Sequence, residues 1–275
     1  MGSIQMTGHE CYRNAPLGVI CIASALTASA GGAQQAASDA ELAQELSNPI
    51  ADLVSLPFQL NYDDGYGADG SGSQWVLNIQ PVIPFSLNQN WNVVSRTIVP
   101  VISSDIGDFD EAGVGDVVQS FFFSPKAPTA SGWIWGAGPV FLLPTGGRDF
   151  SADTFAIGPT VVALKQQNGW TYGGLANHLW SVGADEDEDI SNTFLQPFLS
   201  YTTANAVTFT VNSESTYNWE TEEWSVPVNA IMSKLTTFGR QKVSLGAGVR
   251  YWADSPDTGP DGWGLRLTAT WLFPK

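Results

Sequence analysis

Five charged side chains sit in otherwise strand-like surroundings: Arg96, Asp116, Glu214, Arg250 and Arg266. Arg250 and Arg266 lie symmetrically about the segment 254–262, so in a regular hairpin they face each other across neighbouring strands. Like charges placed directly opposite repel unless counter-ions stand between them. Glu214 falls at a similar height two strands away, Arg96 projects inward near mid-strand, and Asp116 lies toward the end of its strand. Inside a closed structure such a set has two uses. It narrows a pore, as rings of charged side chains do in channels, or it fills the interior as a structural salt-bridge network. Both readings are open, and the five residues are the expected lumen constriction.

Other chemistry-bearing residues are weaker candidates. His178 is followed at a spacing of three by Ser181, which on a strand puts the two side chains on opposite faces, so a nucleophilic pair needs a partner from elsewhere. The acidic run Asp185–Asp189 invites a calcium ion, but a calcium-binding helix–loop–helix needs Gly at its sixth position and Ile190 stands there. That leaves a solvated acidic loop, with loose divalent bridging to lipopolysaccharide as the alternative. The glycine-rich pieces 64–72 and 145–148 lack the lysine and helix of a phosphate-binding loop and read as loop tips. No catalytic, cofactor-binding or metal-ligating set is assigned.

The elements that position these residues are strands. From Leu265 onward the apolar residues Leu265, Leu267, Ala269, Trp271 and Phe273 alternate with Arg266, Thr268 and Thr270, giving one oily and one polar face. Val207–Tyr217 repeats the pattern. Twelve strands are predicted, at 56–62, 74–85, 91–102, 114–124, 132–144, 154–166, 170–182, 192–202, 207–217, 223–234, 243–253 and 263–273. Most suit a tilted membrane crossing of about 9–11 residues. Alternation alone also fits half of a sandwich. Three patterns favour a barrel. Connections alternate between long and short, as they do in outer-membrane barrels. Acids crowd the long connections, whereas Lys126, Lys165, Lys234, Arg240, Lys242 and Lys275 mark the other end. Tryptophans gather at both strand ends: Trp91, Trp133, Trp135, Trp170 and Trp271 near short turns, and Trp75, Trp180, Trp224, Trp252 and Trp263 near long ones. Amphipathic indoles prefer a lipid–water interface. Trp252 alone points inward in this register. Against the strand boundaries stand Pro81, Pro84, Pro100, Pro139, Pro144, Pro159, Pro197 and Pro227, each lacking a ladder donor; they are read as bulges or strand ends.

Residues 1–33 read as a signal peptide, with Ala15–Leu26 as its apolar stretch and small residues at 28–33 for cleavage. Both cysteines, Cys11 and Cys21, fall inside it, so the mature chain has no disulfide. Residues 34–53 form a short helical segment, capped at Ser38 with Glu41 and stopped at Asn48-Pro49. Two positions are open for it: in the periplasm, or as a plug entering the barrel. The barrel takes 54–275. The formal charge of −16 argues against nucleic-acid partners, whose phosphates need bases.

The segments Asn48–Asp63, Gly113–Pro125, Gly138–Thr145, Asn177–Ser181, Val226–Lys234 and Gly246–Trp252, with the terminal strand, resemble Gram-negative outer-membrane proteins grouped as the MetA-pathway of phenol degradation family. The resemblance covers about Asn48 to Lys275. It implies an outer-membrane barrel and passage of small aromatic compounds, and it supplies no catalytic motif and no cofactor. It differs at the end, where Pro274 and Lys275 follow the terminal aromatic Phe273. The expectation is an all-β, closed antiparallel barrel in the cell outer membrane that lets small solutes cross passively. Its expected partners are lipid, lipopolysaccharide, the barrel-assembly machinery and the solute itself. An outer-membrane enzyme acting on lipids and a soluble exported β-sandwich binding protein are the alternatives.

Overall fold

The computed structural model describes residues 39–183 and 189–273. The signal segment, the cap at Ser38, the acidic residues 185–188 and the last two residues lie outside that range.

A short helix, α1 (39–45), is followed by strands throughout. They are β1 (Val54–Tyr66), β2 (Gly72–Ile79), β3 (Val82–Ser86), β4 (Trp91–Ile106), β5 (Phe109–Val114), β6 (Val117–Pro125), β7 (Trp133–Leu143), β8 (Ala156–Gln167), β9 (Trp170–Ser181), β10 (Ser191–Thr202), β11 (Val207–Ser213), β12 (Ser215–Asn218), β13 (Glu223–Phe238), β14 (Gln241–Asp254) and β15 (Gly262–Phe273). All pairings are antiparallel, and β1 pairs with both β2 and β15, so the sheet closes on itself. The pairs β2–β3, β5–β6 and β11–β12 are each one crossing with a gap, which makes a barrel of 12 strands, as expected.

The faces also fall as expected. Phe209 and Val211 are 50% and 52% exposed, and Leu265, Leu267 and Phe273 are similarly open, whereas Thr208 and Arg266 are buried. The apolar side therefore looks outward and the interior takes the polar side, the reverse of a soluble sandwich. Aromatic pairs mark both rims. Trp91 with Trp135, Trp133 with Tyr172, Trp170 with Tyr201, and Phe58 with Trp271 lie toward the short turns. Tyr62 with Trp75, Tyr217 with Trp224, and Tyr251 with Trp263 lie toward the long loops. These are two interfacial girdles. No helix among the described residues is long and apolar enough to cross a membrane; the strands do so.

The prolines explain the gaps. Pro81 stands in the break between β2 and β3, and Pro144 falls just beyond β7. Pro139 and Pro159 face each other across β7 and β8. Beside them the β6–β7 pairing skips from Ser120–Val140 to Phe123–Ala137, and the β8–β9 pairing skips from Ile157–Trp180 to Thr160–Asn177. A missing donor leaves nothing to pair there. The neighbouring glycines are required by the close approach that results: a Cβ on Gly158 would lie 1.7 Å from the carbonyl oxygen of His178. Pro227 sits at a register shift against β14.

The strands on the long-loop side run further than their hydrophobic pattern predicts. β4 and β5 pair out to Ile106–Phe109, turning most of the predicted connection 103–113 into a hairpin. Backbone pairing continues beyond the oily belt because it needs only a partner strand.

The segment 39–53 enters the barrel. Ala43, Ala51 and Leu53 pack with Ala206, Leu235 and Leu272, and Leu42 and Leu46 join them. Ile50 packs with Val94, Phe122, Val162, Leu164 and Leu175. Of the two positions open for this segment, the packing is that of a plug seated in the short-turn mouth. Its Leu and Ile side chains need apolar cover, and inward-facing Leu235, Leu272 and Leu164 supply it. Polar ties add to this. Lys242 pairs with Asp39, Gln166 Nε2 donates to the Gln44 carbonyl at 2.6 Å, and Gln44 Nε2 donates to the Trp170 carbonyl at 3.2 Å.

Candidate functional site

The inward faces of β1, β14 and β15 carry Asn61, Asp63, Arg250 and Arg266. Arg266 lies across β1 from Asn61 and across β14 from Gly248, whereas Arg250 lies across β15 from Gly264. The two arginines are thus offset by two residues and do not face each other, which corrects the symmetric-hairpin expectation. The offset keeps both on the inner face and pairs each arginine with a glycine on the neighbouring strand. At Gly264 the space is needed, because a Cβ there would come within 2.6 Å of an Asp63 carboxylate oxygen.

Each of these two arginines finds a carboxylate. Arg266 Nη1 and Nη2 donate to the two carboxylate oxygens of Glu214 at 2.9 and 2.7 Å, and its Nε donates to Asn61 Oδ1 at 2.7 Å. That is a two-pronged ion pair with a fully covered guanidinium, the geometry in which arginine binds carboxylates most strongly. Arg250 Nη1 lies 3.1 Å from Asp63 Oδ2. Trp252, inward as its register predicts, donates Nε1–H to Asp63 Oδ1 at 2.9 Å, and the Arg250 guanidinium rests 4.6 Å from its ring centroid. Asn229 Nδ2 donates to Asn212 Oδ1 at 2.8 Å at the same height.

Glu214 reaches the cluster from the gap between β11 and β12. Pro197 faces the residue before it and Pro227 faces Glu214 itself, so both neighbouring strands lack a donor there. The Pro227 carbonyl accepts from both Ser213 Oγ at 2.9 Å and Glu214 N at 3.3 Å. The gap at Gln80–Pro81 works similarly, presenting Gln80 Oε1 as acceptor for Arg96 Nη2 at 2.9 Å. Arg96, Arg250 and Arg266 all couple electrostatically to Glu214.

Of the five residues expected to form the constriction, the fold brings together Arg96, Glu214, Arg250 and Arg266. Asp116 does not join them. From the third strand gap it accepts from Gly146 N (2.9 Å), Ser151 Oγ (2.8 Å) and Ala152 N (2.7 Å), anchoring the long loop 144–155. Its charge is consumed by loop donors that no strand pattern reveals. Asp63 and Asn61 belong to the cluster and were missed. The predicted strand 56–62 stops one residue short of Asp63, although alternation from Asn61 carries it inward.

Below the charged belt lies a cavity of about 270 Å³, reaching to the plug. Thr208, Thr210, Thr268, Thr270 and Ser233 supply hydroxyls to its wall, and Arg96 lines it as well. At the outer mouth Asp69 accepts from Ser71 N and Oγ at 3.1 and 2.9 Å, which holds its carboxyl below its ordinary value and keeps that loop negative.

His178 and Ser181 do not meet. His178 Nδ1 bonds the Thr193 hydroxyl at 2.7 Å on the outward face, beside Trp180, while Ser181 Oγ donates to Asp189 at 3.0 Å. Among the described residues no three His, Cys, Asp or Glu side chains converge as a metal site.

No family model matches the chain, and no curated protein does. Solved structures match in fold. An outer membrane channel from Pseudomonas putida F1 is 13% identical, with 80% of this chain and 94% of that one covered and a TM-score of 0.61. Outer membrane phospholipase A from Escherichia coli is 11% identical over 84% of this chain and 98% of its own, with a TM-score of 0.48. The first likeness bears out the barrel fold, which the chain shares with a protein of the outer membrane.

Proposed function

We propose that this protein is an outer-membrane channel through which small solutes cross passively. The observation that carries the reading is the hydroxyl-lined cavity in the lumen, held between the plug at one mouth and the charged belt toward the other. A barrel kept only for its surface needs no such space. The path runs through the outer mouth, past the arginine and carboxylate belt, into the cavity and out beside the plug. The belt is the constriction, and the plug, seated in the short-turn mouth, is the gate. Exposed acids around the outer loops gather cations at low salt. The Leu46, Leu53 and Phe198 side of the cavity accepts solutes with an apolar body, small aromatic compounds among them. Lipid and lipopolysaccharide contact the two aromatic girdles, and the barrel-assembly machinery inserts the chain.

Planar-bilayer recording tests this. The purified chain gives small, infrequent current steps, and a variant lacking residues 39–53 gives larger, longer ones. Silence from both overturns the channel. Against the enzyme alternative, His178 bonds the Thr193 hydroxyl and does not meet Ser181. Replacing His178 leaves conductance unchanged.

A further inference from the structure

We propose that the lumen cavity is a binding site for a small carboxylate with an apolar body, and that Arg96 is the residue that selects it. The inference rests on the channel reading above for its place in transport, but not for the binding itself.

The charged belt does not balance. Three arginines face two carboxylates. Glu214 is taken by the two-pronged bond from Arg266, and Asp63 by Arg250 together with Trp252. Among the described residues, Arg96 is left with one side-chain hydrogen bond, to the neutral amide of Gln80 at 2.9 Å. The guanidinium carries five donors. The belt is short of acceptors elsewhere as well, since the covered Nε of Arg250 has no partner among the described residues. A charge held away from bulk water is costly unless paired, so a mobile anion has a ready seat.

That seat opens on the cavity. Arg96 lines it, and the hydroxyls of Thr268 and of the bonded pair Thr210 and Ser200 stand on the wall. The plug side offers Leu46, Leu53 and Phe198. A polar anionic end against Arg96 and an apolar body against the plug satisfy both walls. A volume of about 270 Å³ sits just below the range of ordinary ligand pockets, about 300–1,000 Å³, which limits the occupant to one small molecule. The acidic outer loops do not contradict this. Their charges are exposed and screened within about 8 Å at physiological salt, whereas Arg96 acts at contact distance.

Benzoate and its neutral counterpart benzamide separate charge from shape. Calorimetric titration of the full purified chain in detergent is expected to show benzoate binding at least tenfold tighter than benzamide. Arg96→Gln abolishes the difference, Arg96→Lys keeps part of it, and unchanged heat-modifiable gel migration shows that both variants are folded. Glu214→Gln, which releases Arg266, strengthens benzoate binding. Equal binding of the two probes to the wild-type chain, no binding of either, or a benzoate preference that survives Arg96→Gln overturns the proposal. Conductance is recorded in parallel. Current without an Arg96-dependent benzoate preference removes the carboxylate site and leaves the channel. Arg96-dependent binding without current removes the channel and leaves the site.

Discussion

The two sides of the barrel interior solve the problem of filling space in opposite ways. Toward β4 and β6 to β9, the wall is apolar: Val94, Phe122, Val140, Val162, Leu164 and Leu175 are all but sealed from water, and Ile50 of the plug completes the packing. Toward β1 and β10 to β15, and at Arg96 of β4 facing them, the wall above Leu235 and Leu272 is polar, holding the Arg266–Glu214 and Arg250–Asp63 pairs and the hydroxyl-lined cavity. The apolar side behaves like a soluble core turned inside a membrane barrel. It anchors the plug through Ile50, as Leu235 and Leu272 do from the opposite wall. The polar side packs through directional bonds, which hold shape while leaving room for a guest. The interior of this twelve-stranded barrel is thus partly a packed body and partly a polar cavity.

The largest expected effect breaks the polar side. Glu214→Ala leaves the Arg266 guanidinium covered and unpaired, and removing one partner of such a pair costs about 3–5 kcal/mol. Urea unfolding in lipid vesicles measures it. The double variant Glu214→Leu with Arg266→Leu regains most of that loss, because the isolated charge is gone. Similar stability of the single and double variants contradicts the pairing.

Next comes the apolar side. Leu164→Ala removes a side chain with no exposed surface and costs about 2–5 kcal/mol, while the ratio of anion to cation permeability stays at the wild-type value. The cavity-lining change Arg96→Gln, on β4 but facing the polar wall, does the reverse, shifting the ratio with little loss of stability. If Leu164→Ala moves selectivity as far as Arg96→Gln, the division of the lumen fails. Outside the barrel, Leu267→Arg places a charge on the lipid face near mid-strand and costs about 2–4 kcal/mol in the same unfolding assay. The smallest effect concerns the plug. Lys242→Ala removes a partly exposed pair with Asp39, which is worth about 0.2–1 kcal/mol. It leaves barrel stability nearly unchanged while the frequency of current steps rises.

Sequence reading succeeded where a local period carried the information. Alternation along Leu265–Phe273 and Val207–Tyr217 fixed which faces meet lipid, and tryptophan positions located both rims. Trp252 was already assigned inward by register alone. What escaped depends on pairing between distant segments. The two-residue offset between Arg250 and Arg266 is decided by how β14 meets β15, and both registers leave the alternation intact. Asp116 looked like a lumen carboxylate because its strand points inward there, but loop 144–155 folds back and supplies three donors. The prolines seemed to count against the strands. They instead make the gaps from which Gln80 and Glu214 reach the arginines: each still donates its N–H to the facing proline's carbonyl, but no N–H returns. The plug was one of two open positions, because a helix with Leu42 and Leu46 on one side needs apolar cover without saying where that cover is.

Oxygen collision with nitroxide labels gives the most direct test of lipid outside and solute path inside. Labels are placed on single cysteines introduced at successive positions along β11, in a described chain that has no cysteine of its own. In lipid vesicles, labels at Phe209→Cys and Val211→Cys collide often with oxygen, which concentrates in hydrocarbon, whereas those at Thr208→Cys and Thr210→Cys collide rarely. High oxygen collision at 208 and 210 with low values at 209 and 211 contradicts the account.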